Sequence, residues 1–222
     1  MTPRAPRRRP ASRPSSGPTL VLGVVGGIGA GKSTVARLLA GPEGVVISAD
    51  AIAAEVLASP EVAARVRERF GPAALGPNGL PDRDALAALV FDPAGGEEPR
   101  RALEGWTHPL IRARIWARLL EARAAGVARV ALDVPLLLEN DAAHGLAREC
   151  DFLVYVDVDL ETRDRRARGQ RDWPPGEVAR REAVQMALEE KRKRADFVVA
   201  NHERLEELER AVTALARRIA RR

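Results

Sequence analysis

Short runs of consecutive apolar residues alternate along this chain with stretches of helical spacing. The first run, Leu20–Val25, leads into a glycine-rich loop. Lys32–Ala40 follows with its apolar positions three and four apart, which predicts a helix. Val45–Ser48 reads as a second strand, with Asp50 just beyond it. From there the pattern changes. Ala51–Ala58, Glu61–Phe70, Arg83–Val90, Pro99–Trp106 and Pro109–Ala125 read as helices, and no strand pattern interrupts them. Strands return at Arg129–Val134, Phe152–Val156 and Phe197–Ala200. Leu160–Arg168, Glu177–Lys191 and Leu205–Ile219 read as helices, with a charged loop at Gly169–Gly176. Apolar strands alternating with helices predict an α/β protein whose parallel sheet is covered on both faces. Ligands of such sheets sit outside the C-terminal strand ends. The helical stretch after Asp50 reads as an insertion between two sheet strands.

The loop after the first strand is Gly26-Gly27-Ile28-Gly29-Ala30-Gly31-Lys32-Ser33, which is G-x-x-x-x-G-K-[ST], the P-loop. Glycines let the backbone turn tightly with its N–H groups inward, and the next helix adds its N-terminus, so the loop cradles phosphate oxygens. Lys32 supplies a compact positive charge for the β- and γ-phosphates, and the Ser33 hydroxyl is a small hard ligand suited to Mg²⁺. The competing dinucleotide fingerprint, G-x-G-x-x-G, is absent here. The motif implies a nucleoside triphosphate and leaves the phosphate acceptor open.

Four further places carry candidate chemistry. Asp50 has two readings of similar weight: a carboxylate facing the P-loop crevice that takes a proton from an acceptor hydroxyl, or the N-cap of Ala51–Ala58. Asp133 ends an apolar strand and reads either as a carboxylate near Mg²⁺ or as a strand-end group satisfied by neighbouring N–H groups. Arg163, Arg165, Arg166, Arg168 and Arg171 crowd the segment before Trp173-Pro174-Pro175-Gly176. Singly they read as a solvated helix face, and together as an arginine-bearing lid that neutralises the transferring group and excludes water. His108, before Pro109, reads as a substrate contact or as a cap of the helix that follows.

Composition narrows the partners. The chain has 222 residues and a net charge of +5, but residues 1–18 hold five arginines and no acid. Without them 31 basic residues face 31 acidic ones, so the folded body is neutral and no specific nucleic-acid partner is implied. Five prolines in the same stretch predict a disordered tail rather than a transit helix. Cys150 is the single cysteine, which fits a reducing cytosol. No apolar run reaches membrane-spanning length, and the three histidines are too scattered for a zinc site. Nothing in the composition specifies an oligomeric state.

The order and spacing of several stretches resemble the dephospho-coenzyme A kinase family. They are GVVGGIGAGKST at 23–34, VVISAD at 45–50, RFG at 69–71, PDRDALAALVF at 81–91, LEGWTHPLIR at 103–112, LDVPLLLEN at 132–140, VYVDVDLETRDRR at 154–166, and REAVQ with EKRKRADFVVAN at 181–201. The resemblance implies a P-loop NTPase fold, a five-stranded parallel sheet in the order 2-3-1-4-5 flanked by helices, with a helical acceptor-binding insertion and a lid. The expected organisation is a tail at 1–18, a core at 19–50 and 127–222 with its lid near 163–180, and the insertion at 51–126. The implied activity is transfer of the ATP γ-phosphate to the ribose 3′-hydroxyl of dephospho-CoA, with ATP and Mg²⁺, in the cytoplasm. Carried over by residue, Gly29, Ala30, Gly31, Lys32, Ser33, Thr34 and Asn201 bind ATP. Ser33 and Asp133 hold the metal. Asp50 is the base, with Lys32, Arg166 and Arg168 also catalytic, and Asp50, His108, Pro135 and Leu136 meet the acceptor. The Arg/Pro tail is extra, Ser48 stands where the family usually has an acid, and residues 169–173 are lengthened, which leaves Arg166, Arg168 and Arg171 all open for the lid role. The alternatives are another small-molecule P-loop kinase, acting on a nucleoside, nucleotide or sugar, and a nucleotide-dependent switch. The guanine-reading N-K-x-D of a GTPase is missing.

Overall fold

In the computed structural model, residues 19–92, 95–202 and 204–220 are described. The Arg/Pro-rich tail at 1–18 lies outside the described residues. The strands are β1 (Leu20–Gly26), β2 (Val45–Ser48), β3 (Arg129–Asp133), β4 (Phe152–Asp157) and β5 (Phe197–Ala200). They form one five-stranded parallel sheet in the order β2-β3-β1-β4-β5, the order that the family resemblance implied. In the centre, Leu22 lies opposite Ala131 on one side and Phe152 on the other, and Val154 pairs Phe197 on β5. β1 is buried from Val21 to Gly26, which is why it reads as an unbroken apolar run rather than an alternating one.

Contacts divide the chain into two units, residues 1–47 with 119–222, and residues 48–118. The first holds the sheet. Its core packs Val35, Ala36 and Leu39 of α1 (Lys32–Ala40) and Leu208, Val212 and Leu215 of α11 (Leu205–Ala220) against Leu22, Val24 and Val154. The second unit holds α2 (Ala49–Leu57), α3 (Pro60–Phe70), α4 (Arg83–Val90) and most of α5 (Glu98–Ala124). Within it, Val56, Val62, Val66 and Leu86 are buried, the Phe70 and Trp106 rings meet edge to face at 6.3 Å, and Arg118 pairs Glu55 at 3.1 Å. Asp82 caps α4 by accepting the N–H groups of Asp84 and Ala85.

Several boundaries differ from the sequence expectation. α5 is one helix through Pro109, not two. Pro109 frees the Gly105 carbonyl, but Gly105 is exposed and water can take its place, while Thr107 Oγ1 donates to the Leu103 carbonyl at 2.9 Å. His108 is therefore inside a helix and exposed, so the reading of it as a helix cap is wrong. α2 begins at Ala49, and Ser48 is its N-cap, accepting the Ala51 N–H. Asp50 lies within the first turn, exposed, and the cap reading for it is wrong as well. α8 (Leu160–Arg171) runs three residues further than expected and stops where Asp172 takes a left-handed conformation before Pro174 and Pro175. The helix expected at 177–191 is broken into α9 (Glu177–Glu182) and α10 (Leu188–Arg194), and short helices α6 (Asp141–His144) and α7 (Leu146–Glu149) had no sequence signal. Among the described residues no helix is long and apolar enough to cross a membrane.

Candidate active site

The centre of the site is the loop between β1 and α1. Gly31 has φ 84° and a Cβ there would fall 2.4 Å from Asn201 Nδ2, so only glycine serves. Asn201, buried at the end of β5, donates that Nδ2 to the Ala30 carbonyl at 2.8 Å. Its role in the structure is thus to tie the last strand to the loop. Lys32 lies across its own loop and donates to the Gly27 carbonyl at 2.8 Å and to that of Gly26 at 3.4 Å. Burial lowers its pKa from 10.5 to about 8, against the pull of Asp133, with Lys191 and Arg171 adding to the depression. Ser33 is exposed at the start of α1.

Asp133 ends β3 and is 9% exposed. Its charge acts on Lys32 at the start of α1, so a cation and an anion influence one another beyond the C-terminal ends of the adjacent parallel strands β1 and β3. The chain then turns through Pro135 and Leu136. Leu136 has φ 54°, a left-handed conformation that costs a branched residue of this kind free energy and recurs at functional sites. Both residues line a cleft of about 190 Å³ that also touches Gly26, Lys32, Glu139 and Lys191.

Lys191 and Glu139 are functional candidates that sequence reasoning missed. Lys191 is 4% exposed, pairs Glu139 at 2.8 Å and donates to Gln185 Oε1 at 3.3 Å. Gln185 lies in the turn between α9 and α10, where the helix is interrupted. The only sequence signal was the basic run Lys191-Arg192-Lys193-Arg194, which looks like a solvated helix face. Arg163 stands in the sequence among the lid arginines, yet it is buried and paired with Glu182.

The three lid candidates separate cleanly. Arg166 is held, donating to the Asn201 carbonyl at 2.9 Å, and burial with neighbouring Arg165 pushes its pKa down without removing its charge. Arg168 pairs Asp164 at 3.5 Å on an exposed face. Arg171 is exposed, stacks over the Trp173 ring at 4.9 Å, and its charge acts on Lys32. Arg181 lies over the same ring at 4.1 Å.

Among the described residues no cluster of three or more His, Cys, Asp or Glu side chains could cage a metal. The Ser33 hydroxyl at the start of α1 and the Asp133 carboxylate at the end of β3 are hard oxygen donors.

The dephospho-CoA kinase family model matches residues 20–207. The dephospho-CoA kinase of Symbiobacterium thermophilum is 40% identical over 196 residues, covering 87% of this chain and 79% of that protein. That of Streptomyces avermitilis is 44% identical over 196 residues, covering 87% and 90%. Among solved structures, TT1252 from Thermus thermophilus matches with a TM-score of 0.68 and 36% identity, over 90% of this chain and 98% of that one. The dephospho-CoA kinase from Campylobacter jejuni matches with a TM-score of 0.66 at 24% identity, covering 90% and 97%, and shows the shared fold.

Proposed function

The chain belongs to the dephospho-CoA kinase family, and on that premise we propose that it transfers the γ-phosphate of ATP to the ribose 3′-hydroxyl of dephospho-CoA, giving CoA and ADP. The observation that carries the reading is the P-loop itself, with a desolvated Lys32 beside Asp133 at the mouth of an apolar cleft. In phosphoryl transfer the protein mainly positions groups and stabilises charge. The N–H groups of residues 29–34 cradle the phosphates of ATP. Lys32 exchanges its bonds to the Gly26 and Gly27 carbonyls for phosphate oxygens, which restores its full charge. Asn201 keeps the loop in shape through the Ala30 carbonyl.

Ser33 and Asp133 would hold Mg²⁺, which supplies neutralisation of the phosphate charge when bound. Pro135 and Leu136 form an apolar wall for the acceptor, and His108 belongs to the acceptor side. Asp50 takes the proton of the acceptor hydroxyl, a poor nucleophile at neutral pH. Arg171 is the lid arginine: it is exposed, carried on the end of α8, and already coupled by charge to Lys32. Closure over ATP would bring its guanidinium to the transferring group and exclude water, which would otherwise receive the phosphate.

An ADP-release assay with dephospho-CoA beside a panel of nucleosides, nucleotides and sugars tests the reading. Turnover is expected with dephospho-CoA. Faster turnover with a member of the panel would assign the chain to a different acceptor.

A further inference from the structure

An ion pair outside the P-loop motif grips the loop at Ile28. Arg163, in the first turn of α8, is 4% exposed, and its Nη1 lies 2.5 Å from Glu182 Oε1 at the end of α9. That same carboxylate oxygen accepts the Ile28 N–H at 2.7 Å. Arg163 Nε donates to the Val158 carbonyl at 3.1 Å, and its Nη1 reaches the Ile28 carbonyl at 3.5 Å. The N–H and the carbonyl of one loop residue are thus both engaged by the pair. Contact is close enough to exclude side chains. A Cβ at Gly27 would fall 2.6 Å from Arg163 Nη1 and 2.7 Å from Glu182 Oε1, and a Cβ at Gly29 would fall 2.8 Å from the Arg163 carbonyl oxygen. A Cβ at Gly27 would therefore meet both charged ends of the pair, and one at Gly29, which has φ 76°, would meet the Arg163 backbone.

The two charges are not equivalent for the loop. Glu182 places a negative charge at a site built for an anion, and its field reaches Lys32. Alone it would repel a nucleotide. Arg163 is the counter-ion that makes the carboxylate tolerable there, and neither can be left buried without the other at low cost.

We infer that Arg163 and Glu182 are positioning residues for ATP, Glu182 fixing the loop through the Ile28 N–H and Arg163 cancelling the carboxylate charge beside the phosphates. The inference rests on ATP occupying the P-loop, as proposed above. It implies an asymmetry that a purely structural brace does not. Glu182→Gln keeps an acceptor for Ile28 and removes the negative charge. Arg163→Gln leaves the carboxylate uncompensated.

Titration calorimetry of Mg-ATP into the full chain tests this, with circular-dichroism melts as the folding control. Arg163→Gln is expected to weaken ATP binding by about tenfold or more, whereas Glu182→Gln stays within about threefold of the parent. The double variant, neutral and still able to accept from Ile28, is expected to return to within about threefold of the parent. In steady-state kinetics the loss in Arg163→Gln should appear in the KM for ATP and leave the KM for dephospho-CoA unmoved. Should Glu182→Gln fail to fold, the double variant carries the test. A folded double variant that binds ATP as poorly as Arg163→Gln overturns the inference, as does equal weakening in both single variants. A parent chain that binds no ATP would overturn the functional reading and this inference with it. A parent that binds ATP alongside an unimpaired Arg163→Gln overturns only this one.

Discussion

Raising the pH should discharge Lys32 in the free protein and not in the ATP complex. Its pKa is lowered by burial from 10.5 to about 8, which corresponds to about 3 kcal/mol of penalty on the charged form. Phosphate oxygens at the ammonium reverse that penalty and return the pKa toward its ordinary value. At pH 8.5 about a quarter of the free protein carries the proton, so ATP binding should take up about three-quarters of a proton. Above pH 8 affinity should fall, approaching tenfold per pH unit. The sign for folding is opposite. Between about 8 and 10.5 the unfolded chain holds the proton that the folded chain has released, so the contribution of Lys32 to stability rises with pH across that window. Calorimetry in two buffers of different ionisation enthalpy measures the uptake directly, with Lys32→Met as the control that should show none. Equal apparent enthalpies in both buffers at pH 8.5 would refute the picture of a desolvated lysine that regains its charge on phosphate.

Asp50→Asn is expected to fold and bind ATP but to lose at least about a hundredfold in kcat. The structural cost should be small, because Ser48 is the cap and only a first-turn charge is lost, worth about 0.3–1 kcal/mol; a wild-type kcat would remove Asp50 from the chemistry. Among the lid arginines, Arg171→Ala should lower kcat most, Arg166→Ala should mainly lower the melting temperature through its lost bond to the Asn201 carbonyl, and Arg168→Ala should change little. A larger kcat loss in Arg168→Ala than in Arg171→Ala would contradict this assignment. Asn201→Ala leaves the buried Ala30 carbonyl without its 2.8 Å donor, a cost of about 1–3 kcal/mol that should lower Tm by roughly 3–10 °C. An unchanged melt would show that the tie between β5 and the loop carries no load.

What the chain reveals as a string of residues is what is decided locally. The buried strands are legible because parallel strands covered on both faces need unbroken apolar runs, as in Val21–Val25. The phosphate loop is legible because its backbone geometry demands glycines at fixed offsets. What is hidden depends on partners far away in sequence. Glu182 ends its helix beside Ile28, 154 residues earlier, and nothing near Glu182 signals it. Lys191 sits in a basic run, and only the fold brings Glu139 to it. α5 passes through Pro109, against the local rule, because the freed carbonyl at Gly105 is open to water. Asp50 was legible as a carboxylate after a strand, while its cap reading failed because Ser48, two residues earlier, already caps the helix.

With [γ-³²P]ATP, Mg²⁺ and dephospho-CoA, the chain should move label into an acceptor product that co-migrates with CoA, one label per ADP formed. The new phosphate should be removed by a 3′-nucleotidase. Label released as inorganic phosphate, or carried on any position other than the ribose 3′-oxygen, would contradict the account.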